Sequence, residues 1–306
     1  MPAAVAVATA SELAADAARR CIRAGGNAVD AAIAAALMCM NTEPGVCSFA
    51  GGAFITIKAP GETAITIDGY AAIPGVGAQA DSATGWRGVR MAYGGGVHTD
   101  VGAASVAVPG SPAAIDCAHR QFACLPMPTL MQPTIEAVRD GFPLSQACHT
   151  YLQHAASSVF ANDPNAVAAL HPDGQNLANA GERIVIDGLA RTLTQLAHDG
   201  LTHFYTGELA MQIVDHLQAH GGIMTRDDLS EYRAIVRPSL VIENGDWQIG
   251  LNPPPAIGGS MLAAILGAVA QGDDLLQSTR HALQRRRREL DFSLDLERDA
   301  AAMVNE

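Results

Sequence analysis

Positive charge, aromatic residues and long apolar runs are all scarce in this chain, and each scarcity excludes something. Lysine and arginine number 19 against 31 aspartates and glutamates, a formal net charge of −12. A surface of that sign repels a phosphate backbone, so nucleic acid is not an expected partner, and anionic membrane surfaces are disfavoured for the same reason. Aromatics make up 5% of the residues; with alanine and glycine abundant, the composition suits close helix packing rather than an aromatic cage. The uninterrupted apolar run Ala31–Met40 is about ten residues long, half of the roughly 20 that a membrane span needs.

Metal-like and disulfide-like patterns are also missing. Cys21, Cys39, Cys47, Cys117, Cys124 and Cys148 sit in apolar or helical surroundings with no C-x-x-C pair, so buried, reduced thiols are expected. His98, His119, His149 and His154 form no H-x-x-x-H or H-E-x-x-H pattern, and neither a metal nor another cofactor is expected. Met1-Pro2-Ala3 opens without a basic segment or a long apolar stretch, which gives a cytoplasmic protein as the expectation.

What is present is organised around Gly25–Ile57, GGNAVDAAIAAALMCMNTEPGVCSFAGGAFITI. Asn27 suits a helix N-cap. The helix it starts, Ala28 to Met40, is apolar all round and therefore buried, with Asp30 its one charge, placed where the helix dipole favours it. Glu43-Pro44-Gly45 ends it. The Gly51-Gly52 pair before the β-rich Phe54–Ile57 run reads in two ways: as part of a turn into a central strand, or as a place where another segment approaches that strand closely.

Before this stretch, Ser11 caps a helix through about Ala24. After it, Ala53–Lys58 and Ala64–Asp68 read as a hairpin across Pro60-Gly61, and residues 71–102 read as a long glycine-rich loop. Ser105–Val108 is a short strand candidate. Helices are predicted at Ala113–Ala123, Leu130–Asp140, Ser145–Ser157, Gly188–His198, Glu208–Ala219 and Ser260–Ala270, with a capping-box-like start at Thr225 and Asp228. Asn244-Gly245 marks a second hairpin between Leu240–Glu243 and Trp247–Leu251. The tail from Leu275 to Val304 reads as helical and charged. Within it Arg285–Arg288 point in different directions on a helix, which suits a solvated helix or an intersubunit salt-bridge site rather than nucleic-acid binding. The 306 residues can bury a large core, in one domain or two.

GGNAVDAAIAAAL, then EPG, then a glycine cluster ending in GAF resembles the opening of the γ-glutamyltranspeptidase family of N-terminal-nucleophile hydrolases. The likeness continues in order through SVAVPGSPAAIDCAHRQFACLP, PTIEAVRDGFPLS, the long section from ERIVIDGLARTL to YRAIVRPSL, and LNPPPAIGGSMLAAIL. The resemblance implies an α+β fold, a four-layer αββα sandwich of the N-terminal-nucleophile hydrolase type, completed by a second, small subunit. Residues 1–306 would then be the large subunit of a heterodimer, one domain shared with the partner chain. The precursor of such a pair cuts itself, which makes Glu306 the expected processing site. The new N-terminal Thr or Ser of the small subunit is the nucleophile, because one residue then carries both a hydroxyl and an α-amine that acts as base.

No catalytic residue is accordingly expected in this chain; Thr42, Cys47 and Ser48 read as structural. The partners implied are that small subunit and a small-molecule amide or acyl substrate. In the family an arginine after the second strand clamps the α-carboxylate of the γ-glutamyl group, by bidentate pairing. The aligned run here is Asp68-Gly69-Tyr70-Ala71-Ala72-Ile73-Pro74, with Tyr70 in the arginine's place. Tyr70, Gly259 and Ser260 are therefore the implied substrate-binding residues, and Arg87 and Arg90 are the candidates to replace the missing charge. Two rival functions share the resemblance: a specialised acylase or carbon–carbon bond hydrolase of secondary metabolism, and a non-catalytic binding relative.

Overall fold

Ser11 opens the first helix, its hydroxyl accepting the Ala14 N–H at 3.3 Å, and Glu12–Arg23 follows with Ala14, Ala17, Ala18 and Cys21 on its buried side. The computed structural model describes residues 5–76 and 83–305. By packing, the chain divides into two units, Met1–Ala53 with Gly69–Arg233 and Phe54–Asp68 with Ala234–Glu306.

In the first unit the helix Ala28–Thr42 packs against Glu12–Arg23 on one side and Met127–Asp140 on another, with Leu37, Leu130 and Met131 fully buried. Its N-terminus is a capping box between Asn27 and Asp30. Further helices follow at Ser111–Phe122, Gln146–Ala155, Pro164–Leu170, Leu189–Asp199, His203–Thr206, Glu208–Ala219 and Arg226–Ser230, the last started by the Thr225–Asp228 capping box.

Numbering the strands along the chain, β1 is Ala53–Ile57, β2 Ile65–Gly69, β3 Arg87–Met91, β4 Val97–Val101, β5 Phe142–Pro143, β6 Arg183–Ile184, β7 Ile235–Pro238, β8 Leu240–Asn244 and β9 Trp247–Leu251. Two expectations change in the first unit. Residues 71–102 are not all loop: β3 and β4 pair as an antiparallel hairpin, Arg87 opposite Val101 and Met91 opposite Val97, across the Gly94-Gly95-Gly96 turn. Ser105–Val108 is not a strand; a short 3-10 turn at Ala103–Ser105 precedes a single antiparallel bridge between Val108 and Ala72.

The second unit holds a three-stranded sheet in the order β1-β2-β7, with β2 and β7 antiparallel from Ile65 opposite Pro238 to Asp68 opposite Ile235. Arg237 bridges Asp68 and Glu297 at 3.1 and 3.3 Å. The predicted β8–β9 hairpin forms, closed by Asn244 opposite Trp247, with Gly245 in the left-handed region at φ +59° that its turn requires. Helix Ile257–Ala270 packs on this hairpin and on Leu275–Arg285 and Leu296–Asn305, around Ala282, Leu290, Ala300 and Met303. Arg285 ends the preceding helix and Arg286–Leu290 is a wider π-helical turn; three of the four arginines pair within the chain, Arg285 and Arg288 with Glu289 and Arg286 with Asp291. No helix among the described residues is long and apolar enough to cross a membrane.

Candidate active site

Where the chain leaves β2, three glycine positions let backbones meet. The Gly51 carbonyl accepts the N–H groups of Gly110 and Ser111 at 2.8 and 2.9 Å. A Cβ on Gly110 would lie 2.1 Å from the Gly69 oxygen and 2.4 Å from the Tyr232 hydroxyl; one on Gly69 would lie 2.5 Å from the Ala114 methyl. A Cβ on Gly52 would lie 2.9 Å from the Ala71 nitrogen and 3.3 Å from Tyr70 Cδ2, so the Tyr70 ring edge rests on bare backbone. Of the two readings of Gly51-Gly52, close approach is the one observed, and the approaching segment is Tyr70-Ala71.

Tyr70 itself is 64% exposed. Its backbone is not free to move: the Tyr232 hydroxyl donates to the Tyr70 carbonyl at 2.5 Å. Tyr232 stacks on Tyr205 with centroids 5.7 Å apart and planes 7° from parallel. The Tyr205 hydroxyl in turn donates to the Pro109 carbonyl at 2.8 Å and accepts the Ala113 N–H at 3.1 Å. Burial pushes the Tyr205 phenol well up, so it remains a neutral donor.

Asp228 fixes the far end of the same segment, accepting the N–H groups of Gly75 and Val76 at 2.8 and 3.2 Å. Burial alone would raise its carboxyl, but the donors from Gly75, Thr225 and Val76 outweigh it and hold the group below the ordinary aspartate value. A depressed folded pKa means that these bonds are intact above the ordinary aspartate pKa of about 3.9 and are lost only as pH falls through the folded value.

The sequence reading gave no role to Tyr232 or Tyr205, and saw Asp228 only as a cap. The available signal was the four-residue spacing of Asp228 and Tyr232, which places both near one side of a helical turn.

The three eye-catching nucleophile types in the central stretch are all tied to backbone. Thr42 Oγ1 donates to the Met38 carbonyl at 2.8 Å, Cys47 Sγ to the Cys39 carbonyl at 3.3 Å, and Ser48 Oγ accepts the Ala50 N–H at 3.1 Å. Burial, aided by the Glu43 charge, pushes the Cys47 thiol up to about 11, the opposite of an activated thiolate. Two buried hydroxyls, Ser111 Oγ and Thr134 Oγ1, have no hydrogen-bond partner among the described residues.

The arginines of the β3–β4 hairpin lie apart from this arrangement of bonds. Arg87 donates through Nη2 to the Ser158 carbonyl at 3.0 Å, and the Asn162 amide, with its oxygen turned to the guanidinium, accepts from Nη2 and Nε at 2.5 and 2.7 Å. Arg90 is exposed, its guanidinium over Gly96. Gly259 and Ser260 belong to the second unit, buried in the first turn of Ile257–Ala270. A Cβ on Gly259 would sit 1.8 Å from the Asn252 oxygen, and Ser260 Oγ donates to the Ala256 carbonyl at 3.3 Å. Glu306 lies outside the described residues. His216 and His220 do stand four apart, with rings 4.4 Å from each other, but no group of three or more metal-ligand types is assembled among the described residues.

The family model for Gamma-glutamyltranspeptidase matches residues 14–292. The chain belongs to the γ-glutamyltranspeptidase family. Among its relatives, Glutathione hydrolase proenzyme 1 of Schizosaccharomyces pombe is 32% identical over 219 residues, 72% of this chain and 33% of that protein. The Acylase ACY 1 proenzyme of Pseudomonas sp. strain V22 is 30% identical over 275 residues, 88% of this chain and 48% of that protein. This γ-glutamyltranspeptidase-family chain thus spans between a third and a half of the length of such relatives.

Among solved structures, the γ-glutamyltranspeptidase from Pseudomonas nitroreducens complexed with L-DON superposes with a TM-score of 0.79 at 25% identity, covering 98% of this chain and 92% of that one. The Helicobacter pylori enzyme gives 0.81 at 22%, covering 99% and 93%. The fold is therefore the α+β fold of γ-glutamyltranspeptidases, as the resemblance implied.

Proposed function

We propose that this chain is the large subunit of a γ-glutamyltranspeptidase-like amidohydrolase or acyltransferase whose nucleophile is the first residue, Thr or Ser, of a small subunit cut from the same precursor. The observation that carries the reading is one of lengths. The chain covers only 33% and 48% of two relatives named proenzymes, yet 92% and 93% of single polypeptides in two solved γ-glutamyltranspeptidase structures. The bonding of Thr42, Cys47 and Ser48 supports it, since among the described residues none has a nitrogen base as its hydrogen-bond partner. The small subunit would complete the four-layer αββα sandwich, so that residues 1–306 and the partner share one domain.

The reaction is acyl transfer from a small-molecule amide. The partner's hydroxyl oxygen adds to the amide carbonyl carbon while its proton passes to the α-amine of the same residue. The carbon–nitrogen bond breaks, the proton goes to the leaving amine, and an ester-linked acyl-enzyme remains. Water or an acceptor amine then takes the acyl group and restores the hydroxyl. This chain builds the acyl side of the pocket with Tyr70, and Gly259 and Ser260 line the turn that borders the site in the family. Arg87 is held by Ser158 and Asn162, which leaves Arg90 as the freer of the two replacement arginines.

A second reading keeps the fold and nucleophile but changes the acyl group or the bond, giving a specialised acylase or carbon–carbon bond hydrolase. Tyr70 favours it, because a phenol brings no positive charge to an α-carboxylate, and so does the acylase relative, which covers 88% of this chain. The test of the shared core is to express the full precursor and sequence the N-terminus of the polypeptide that co-purifies with this one. Thr or Ser is expected; an uncut precursor, or a second chain beginning with a residue that carries no nucleophile, overturns the proposal.

A further inference from the structure

The sequence holds one H-x-x-x-H spacing, His216-Leu217-Gln218-Ala219-His220. It falls on the last turn of the Glu208–Ala219 helix, with His220 as the C-cap. Residues four apart on a helix share one face, and both side chains are exposed. Their rings lie 4.4 Å apart, centre to centre. The helix ends here. The His220 N–H turns to the Leu217 carbonyl at 3.1 Å, which leaves the His216 carbonyl to the His220 ring, whose Nδ1 donates to it at 2.7 Å. A carbonyl only accepts, so Nδ1 carries a proton and, in the neutral ring, Nε2 keeps its lone pair. A histidine that ligates a metal is oriented in this way, by an Nδ1–H bond to a backbone carbonyl. Among the described residues no hydrogen bond engages the His216 ring.

The separation of the rings selects a coordination geometry. With a metal–nitrogen bond of ~2.0 Å and the ring centre ~1.1 Å beyond the nitrogen, two imidazoles bound at right angles stand about 4.4 Å apart. At a tetrahedral angle the same bonds place them about 5.1 Å apart. Right angles belong to the tetragonal ions Cu2+ and Ni2+ rather than to Zn2+. The backbone is already held for this arrangement. The Gly221 carbonyl accepts the N–H groups of Thr84 and Gly85 at 3.1 and 3.0 Å, and a Cβ on Gly85 would lie 1.9 Å from the His220 oxygen. Little order is therefore lost when an ion arrives. The carbonyl end of a helix favours a cation. The neighbouring charges, Asp215 and Arg226, pair with each other at 3.2 Å and leave the local field to the helix end.

The geometry points to His216 and His220 as a two-imidazole site for a tetragonal transition-metal ion, Cu2+ first, whose other positions are filled by water. Copper leads because the affinity of nitrogen ligands rises along the divalent series to Cu2+ and falls again at Zn2+. The inference does not rest on the acyl-transfer reading.

The test is a Cu2+ titration of the product of the full precursor, purified without a histidine tag. Citrate is present to hold weakly bound copper, and it brings no nitrogen of its own. One ion per chain is expected, and at one equivalent the electron paramagnetic resonance spectrum should show hyperfine structure from two nitrogens. His216→Ala and His220→Ala should each weaken binding at least about tenfold, because two linked ligands outbind either one by that factor or more. Alanine is the better helix former, so both variants are expected to fold, and wild-type circular dichroism spectra check this. His198→Ala, a change at another exposed histidine, should leave the affinity as it was. Zn2+ should bind at least about tenfold more weakly than Cu2+. An unchanged copper affinity in either helix variant, or an equal loss in His198→Ala, overturns the inference. So does a spectrum with one nitrogen or none, or Zn2+ binding as tightly as Cu2+. Failure of the catalytic reading looks different: an uncut precursor removes the acyl-transfer proposal but still carries this helix, and the copper titration stands by itself.

Discussion

Asp30→Ala is expected to lower folding stability by about 3–5 kcal/mol, because it takes a buried carboxylate away from three backbone donors. Asp30 is fully buried. Its Oδ2 accepts the Asn27 N–H at 2.7 Å, both oxygens receive the Cys124 N–H at 3.1 Å, and Oδ1 accepts the Leu125 N–H at 2.9 Å. Alanine strands all three donors, at roughly 1–3 kcal/mol each where water cannot reach them. Nor can the backbone relax easily, because a Cβ on neighbouring Gly26 would already lie 2.9 Å from both Asp30 Cβ and Leu125 Cδ1. The carboxylate thus joins the start of Ala28–Thr42 to the link between Ser111–Phe122 and Met127–Asp140. Urea denaturation measures the effect as a lower midpoint at an unchanged slope. A loss under about 1 kcal/mol would mean that these bonds contribute only what an exposed cap does.

Tyr70→Arg is expected to raise kcat/KM for a γ-glutamyl amide about tenfold or more. A hydrogen bond to a charged group contributes roughly 1.5–3 kcal/mol, and 1.4 kcal/mol is a factor of ten. The site tolerates the change: the side chain is 64% exposed, Gly52 offers no Cβ beneath it, and the backbone is held by Tyr232 whatever residue stands at position 70. Bidentate geometry is what an arginine adds, so Tyr70→Lys should gain less. Hydrolysis of a γ-glutamyl chromogenic amide decides the matter. No gain, in a variant with wild-type stability, would show that position 70 does not face the acyl group.

What could be read from the sequence was what is settled locally. Asn244-Gly245 fixes its hairpin through one turn, and Ser11, Asn27 and Thr225 fix their helix starts through bonds three residues long or less. The β3–β4 hairpin escaped because RGVRM and VHTDV are short and polar, and so lack the apolar alternation that marks a half-buried strand. Asp30 was legible as a helix-start charge, but its bonds to Cys124 and Leu125 reach 94 and 95 residues along the chain. The candidate site shows the same limit. Tyr70 was identified by its place in a motif; Tyr232, which positions it from 162 residues away, carried no local mark beyond its spacing from Asp228. Close approach at Gly52 was readable as an option, and only the fold says which segment approaches.

The most direct test of the whole account is to locate the acyl group during turnover. The processed enzyme is mixed with a slowly hydrolysed amide, quenched in acid and digested, and the acylated peptide is found by mass spectrometry. The account predicts the adduct on the first residue of the second polypeptide. An adduct on Thr42, Cys47, Ser48 or any other residue of these 306 contradicts it.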